Sequence, residues 1–167
     1  DLTETATDGT GTPIHTLYIE RDDAGQVIRT LTDTKSTGSI DRLNFGSMSG
    51  DYTVNHQEDF TQWSSERFTQ MKGLNLITLS NTRYQTEITL DQAVIGKLSP
   101  AGTVAGKTSS LRIDGDATDT VNLEGNGFTK LETTQTIGSN TFDMYTTTVN
   151  NTTYTLFIDN DVNTVLG

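Results

Sequence analysis

The chain has 167 residues, and its 22 Asp plus Glu outnumber 11 Lys plus Arg to give a formal net charge of -11. That charge repels phosphate backbones and anionic headgroups, which makes nucleic acid and membrane surfaces poor partners, and the absence of cysteine excludes disulfides, thiolate nucleophiles and Cys-based zinc sites. Only 32% of residues are apolar, and the abundance of Thr, Asn, Asp, Gly and Ser suits strands and turns in one domain or two small ones.

Residues 1–13 hold a single Leu among Thr, Gly and acids and are expected to be a linker, with one β-rich domain over 14–167 and a sub-boundary near 72–74. The chain starts at Asp1 rather than Met, without a basic leader or an apolar run of the roughly 20 residues that span a bilayer, so it is expected to be an excised piece of a longer protein without membrane insertion. HTLYIERDDAGQVIRTLTD predicts a hairpin turning at DDAG. Ile40, Leu43 and Phe45 make a strand that resumes at Tyr52 and Val54. Phe60, Trp63, Phe68 and Met71 recur at imperfect helical spacing, fitting a short helix or an aromatic-rich loop.

Period-two patterning returns at Leu74, Leu76 and Leu79, then at Ile88 and Leu90. Asp91 is placed to cap a helical turn through Leu98, because its carboxylate can accept the free amide hydrogens of the first turn. SPAGTVAGKTSS has the chemistry of a loop, and from 109 to 167 strands flanked by Gly, Asn and Asp predict a β meander. IDRLNFGS with DYTVN, LNLITLSN with TEITL, and SLRIDGDA with DTVNLEG each repeat strand, polar bend, strand, at intervals of roughly 30 to 40 residues. Such units stack their apolar residues because none buries its own face alone. The expected fold is mainly β, a solenoid-like or sandwich stack of strand pairs with one or two short helices.

Nucleophilic catalysis has little to build on: His15 and His56 are the only histidines, neither has a G-x-S-x-G partner, and His56 in NHQED is expected in a solvated loop. Among 22 acids no motif singles out a glycosidase pair, so no enzyme is predicted. Calcium is the chemistry with positive support, since a hard cation wants closely spaced oxygens in a turn. Asp114, Asp116 and Asp119 form D-x-D-x-x-D, Asp159 and Asp161 with Asn163 form D-N-D-V-N, and Asp22 and Asp23 sit in a turn. The competing account of each is a solvent-facing turn in which Asp bonds nearby amides. Thr164 stands where an EF-hand loop requires Gly, so that match fails. Trp63, Tyr52 and Phe60 are candidates for an aromatic sugar platform, with Tyr84 a further one.

From Leu111 to Val165 the pattern L-x-I-x-G-D-x-x-D-x-V-x-L, a Phe128-Thr129 turn, a strand pair over Thr136 to Tyr145 and a closing Leu156 to Asp159 strand resemble the C-terminal region of large type I-secreted (RTX, biofilm-associated) bacterial adhesins. MKGLNLITLSN followed by ITLDQAVIGKL is similar to a unit that precedes that region, while residues 1–70 fall outside the resemblance and the nonapeptide G-G-x-G-x-D-x-U-x is absent. The resemblance implies a secreted, extracellular or cell-surface domain without catalysis. Its partners would be neighbouring domains of the same long chain and cell-surface or matrix glycans, with calcium rigidifying acidic turns. An alternative is a carbohydrate-binding module using the aromatic platform.

Overall fold

A computed structural model describes residues 16–21, 27–32, 42–45, 56–79 and 85–167. The strands are β1 (Thr16–Arg21), β2 (Val27–Thr32), β3 (Arg42–Asn44), β4 (His56–Asp59), β5 (Leu76–Thr78), β6 (Thr86–Asp91), β7 (Gly102–Val104), β8 (Lys107–Asp114), β9 (Thr120–Glu124), β10 (Thr129–Ile137), β11 (Asn140–Val149), β12 (Thr152–Asp159) and β13 (Asn163–Leu166). Two short helices, α1 (Ser65–Gln70) and α2 (Gln92–Leu98), follow β4 and β6, with a single 3-10 turn at Phe60–Gln62 before α1.

The parallel pairings decide the architecture. In one sheet β12 pairs β8, β8 pairs β5, β5 pairs β3 and β3 pairs β1, all parallel. In the other, β13 pairs β9, β9 pairs β6 and β6 pairs β4, again all parallel. Parallel neighbours need a crossover between them, and here the crossover is the opposite sheet. The chain alternates between the two sheets, so β3–β4, β5–β6, β8–β9 and β12–β13 are four successive rungs of a solenoid, and the last two turn through bends whose residues are described. The return legs carry the insertions: α1 after β4, α2 and β7 after β6, and the β10–β11 hairpin after β9.

Register turns the period-two pattern into a core. Leu43, Ile77, Ile113 and Ile158 are mutual partners along the first sheet and all are fully buried. Ile88 with Val121, and Leu90 with Leu123, continue the stack in the second sheet. Because alternate residues of a strand face opposite sides, one slip in register would turn a whole column out to water. α1 and α2 add Phe68, Val94, Ile95 and Leu98 to the same core, joined there by Phe60 and Met71. Asp91 caps α2 as its position predicts, its side chain accepting from the Val94 amide at 2.7 Å.

Elsewhere the pattern misled. The solvated loop expected at His56 is strand β4, in which Glu58 is buried, because the strand fills the sheet position beside β6. The loop expected at SPAGTVAGKTSS contains the β7–β8 hairpin, whose tip places Ala105 and Gly106 at φ 49° and 80°, the pair of positive values that a tight hairpin turn demands. The meander expected over 109–167 holds for β10, β11 and β12, whereas β8 and β9 do not pair with each other and lie in different sheets. β1 and β2 pair antiparallel as expected, with a bulge at Glu20 and Arg21, while the turn expected at DDAG lies outside the described residues.

Strand β12 is buried on both faces. Leu156 and Ile158 face the solenoid core, while Phe157 joins Phe142 and Met144 in a second cluster on the outer face, covered by Val104, Leu131 and Ile137. Ile113→Ala removes a fully buried side chain held between columns on both sides, and we predict a loss of about 3–4 kcal/mol of unfolding free energy in urea titration, with an unchanged m-value.

Candidate functional site

The aspartates occupy the tight bends between the sheets. The bend of the third rung runs from Asp114 to Thr120 and that of the fourth from Asp159 to Asn163, and Asn163 is the register partner of Thr120. Both bends close in the same way. Asp116 Oδ1 accepts the Thr118 amide at 2.8 Å and its carbonyl accepts the Asp119 amide at 3.0 Å. Asp159 Oδ1 accepts the Asp161 amide at 3.1 Å and its carbonyl accepts the Val162 amide at 3.0 Å. Two motifs that look like separate acidic clusters in sequence are therefore one corner in consecutive rungs.

Asp119 does something different from its neighbours. It is fully buried, and its two carboxylate oxygens accept the Thr86 amide and the Asp116 amide, each at 2.9 Å. Its carbonyl accepts the Asn163 amide at 3.0 Å. Thr86 opens β6 and Asn163 opens β13, so this residue of the third rung ties the starts of the second and fourth. Thr86 in turn donates its hydroxyl to the Leu79 carbonyl at 2.8 Å. Gly115 makes room for this: a Cβ there would stand 2.7 Å from Val162 Cγ2 and 2.8 Å from Asp119 Oδ2.

Asp114 is turned to a third task, accepting from Arg112 Nε at 2.6 Å while the Arg112 guanidinium lies 4.9 Å from the Phe142 ring centroid. The bends thus bring Asp114 and Asp161 within electrostatic reach of Asp159. Burial, first of all, raises its pKa above the ordinary Asp value; the charges of Asp161 and Asp114 push the same way, opposed by the Asp161 amide and by Arg112. Among the described residues no three His, Asp or Glu side chains are arranged to hold a metal ion.

The aromatic candidates divide. Phe60 is fully buried in the core and cannot serve as a sugar platform. It stacks on Trp63 with centroids 4.0 Å apart and planes at 16°, and the Arg67 guanidinium lies 4.8 Å from the centroid of the same indole. Trp63 Nε1 donates to buried Glu58 at 2.7 Å, so the indole seals the end of the core. Tyr52, Tyr84, His15, Asp22 and Asp23 lie outside the described residues.

Sequence reasoning missed Glu58 and a basic, hydroxyl-lined cavity between the two helices, bounded by Lys72 and Lys97. Nothing local marks that cavity, because its walls come from segments some 25 residues apart. Comparison of the chain with protein-family models, curated proteins and solved structures finds no match.

Two outcomes follow from the corner geometry. Asp119→Asn replaces one acceptor oxygen with a donor facing an amide hydrogen, and should cost about 2–4 kcal/mol, whereas Asp116→Asn keeps its Oδ1 acceptor and should cost under ~1 kcal/mol, both read by urea unfolding. Asp159 behaves oppositely. A raised folded-state pKa means that its ionised form costs stability above that pKa, and the cost disappears as pH falls through it toward the unfolded value. Asp159→Asn, which retains the amide bond from Asp161, should raise the thermal midpoint at pH 7, and the advantage over wild type should vanish by about pH 4.

Proposed function

We propose that this chain is a non-catalytic, extracellular domain of a secreted bacterial adhesin, acting as a stiff module that supports surface attachment or biofilm cohesion. The observation that carries this reading is the use made of the acidic motifs: the carboxylates of Asp116, Asp119 and Asp159 are engaged with backbone amides of their own and adjacent rungs. Buried carboxylates committed to holding amides are structural parts rather than mobile acids and bases. The segments that resemble adhesin sequence, from Met71 to Val165, are the ones that form the second, third and fourth rungs.

A rung stack suits a chain built of domains in series. Every strand is tied along the stacking direction, so pulling across the bends loads many backbone hydrogen bonds together. On the second sheet β13 has no further strand beyond it among the described residues, and Val165 and Leu166 are 44% and 46% exposed there. This edge is where a neighbouring domain of the same long chain would seat. The described residues include no helix long and apolar enough to cross a membrane.

Calcium enters this reading as a counter-ion around Asp159, which Asp114 and Asp161 repel, and not as a ligand of Asp119, whose oxygens are already bonded. Thermal scans in millimolar calcium, in magnesium and in excess chelator test it. Screening of surface charge should lift the midpoint by only about 1–2 °C, alike for both metals. A calcium-specific rise of many degrees would replace this account with a dedicated site. Loss of cooperative unfolding in chelator would contradict the claim that the bends hold themselves.

A further inference from the structure

The cavity between the two helices has a volume of 410 Å³, within the roughly 300–1,000 Å³ of small-ligand pockets. Ser65, Phe68, Thr69 and Lys72 bound it on the side of α1, and Lys97 and Ser99 on the side of α2. In a chain with twice as many acids as bases, no acid among the described residues lines this pocket and two lysines do. Among the described residues neither lysine forms an ion pair with a carboxylate; Lys97 Nζ instead lies 5.1 Å from the Phe68 ring centroid. Among the described residues no carboxylate neutralises these two ammonium groups, which are charged donors.

The hydroxyls narrow the ligand further. Thr69 Oγ1 already donates to the Ser65 carbonyl and Ser99 Oγ to the Gly96 carbonyl, both at 2.9 Å. With their protons spent, these two oxygens offer lone pairs, while the Ser65 hydroxyl can still donate, so a ligand that brings hydroxyl donors of its own as well as an anionic group complements the lining best. Phosphate or sulfate brings chiefly acceptors. A net charge of -11 also works against any ligand carrying several negative charges. One carboxylate on a ring of hydroxyls meets all of these conditions.

We propose that this pocket binds a carboxylate-bearing sugar, the acid held by Lys72 and Lys97 and the ring hydroxyls donated to Thr69 and Ser99. The inference is independent of the adhesin reading, which would stand if the pocket bound nothing. Its test is amide chemical-shift mapping of the whole chain during titration with D-glucuronate, D-glucose and inorganic phosphate. Glucuronate should give saturable shifts confined to Ser65–Lys72 and Gly96–Ser99, weakened about fivefold by either Lys72→Gln or Lys97→Gln and weakened again by added salt. Both substitutions sit on the surface and should leave the thermal midpoint unchanged, so lost binding would not reflect lost folding. Absence of saturation at tens of millimolar glucuronate, binding of glucose equal to that of glucuronate, or binding of phosphate equal to that of glucuronate would each overturn the proposal.

Discussion

Everything in this fold hangs on the corner at Asp119. A solenoid of parallel strands has strong bonds within each sheet, but the bends between sheets expose amides that no ladder satisfies, and at the third rung one of them is buried. Leaving such amides unpaired would cost about 1–3 kcal/mol each. A single buried carboxylate meets two of them, one from its own bend and one from the start of β6, while its carbonyl takes a third from the start of β13. The charge can be buried only because both oxygens are bonded, and the bonds can form only because Gly115 presents no Cβ to Val162 and Asp119.

From that corner the rest is placed. Holding the first residues of the second-sheet strands in line fixes the register that stacks Ile88 on Val121 and Leu90 on Leu123. Register in turn settles which residues of β5, β8 and β12 form the inner column and which are left to the outer face. The helices then close the inner core with Phe68, Val94, Ile95 and Leu98, and the outer face is elaborated by the β7 and β10–β11 elements over the second cluster. The cavity between the helices is a by-product of that elaboration, lying away from the bends.

Much of this was legible from the chain. The second and third strand, bend, strand units supply the second and third rungs, and the alternation at Ile88 and Leu90 reports a half-buried pleat because only one face of that strand meets the core. The first unit places its second strand at DYTVN, outside the described residues, and the rung's second strand is His56–Asp59; at β5 it is Ile77 with Leu79, not Leu76, that faces the core. Asp91 was recognisable as a cap because capping is local, read within a few residues. The burial of Phe157 went unread, although the unbroken run Leu156, Phe157, Ile158 is one that a half-buried strand does not produce. What stayed hidden depends on partners distant in sequence. Asp119 and Asp116 look alike in the motif, yet one is fully buried and the other sits in a partly open turn, and the difference comes from Thr86, 33 residues away. His56–Asp59 is too polar to look like a strand, and it is one because β6 offers it an edge.

The central claim is that the corner holds the rungs together by hydrogen bonds of its own. Native-state hydrogen exchange in excess chelator measures this at the amides of Thr86, Asp116 and Asn163. The account predicts that all three exchange only through global unfolding, with the same free energy as Ile113 in the inner column. Rapid exchange at Thr86 and Asn163, while Ile113 remains protected, would show that the bend opens independently of the core and would contradict it.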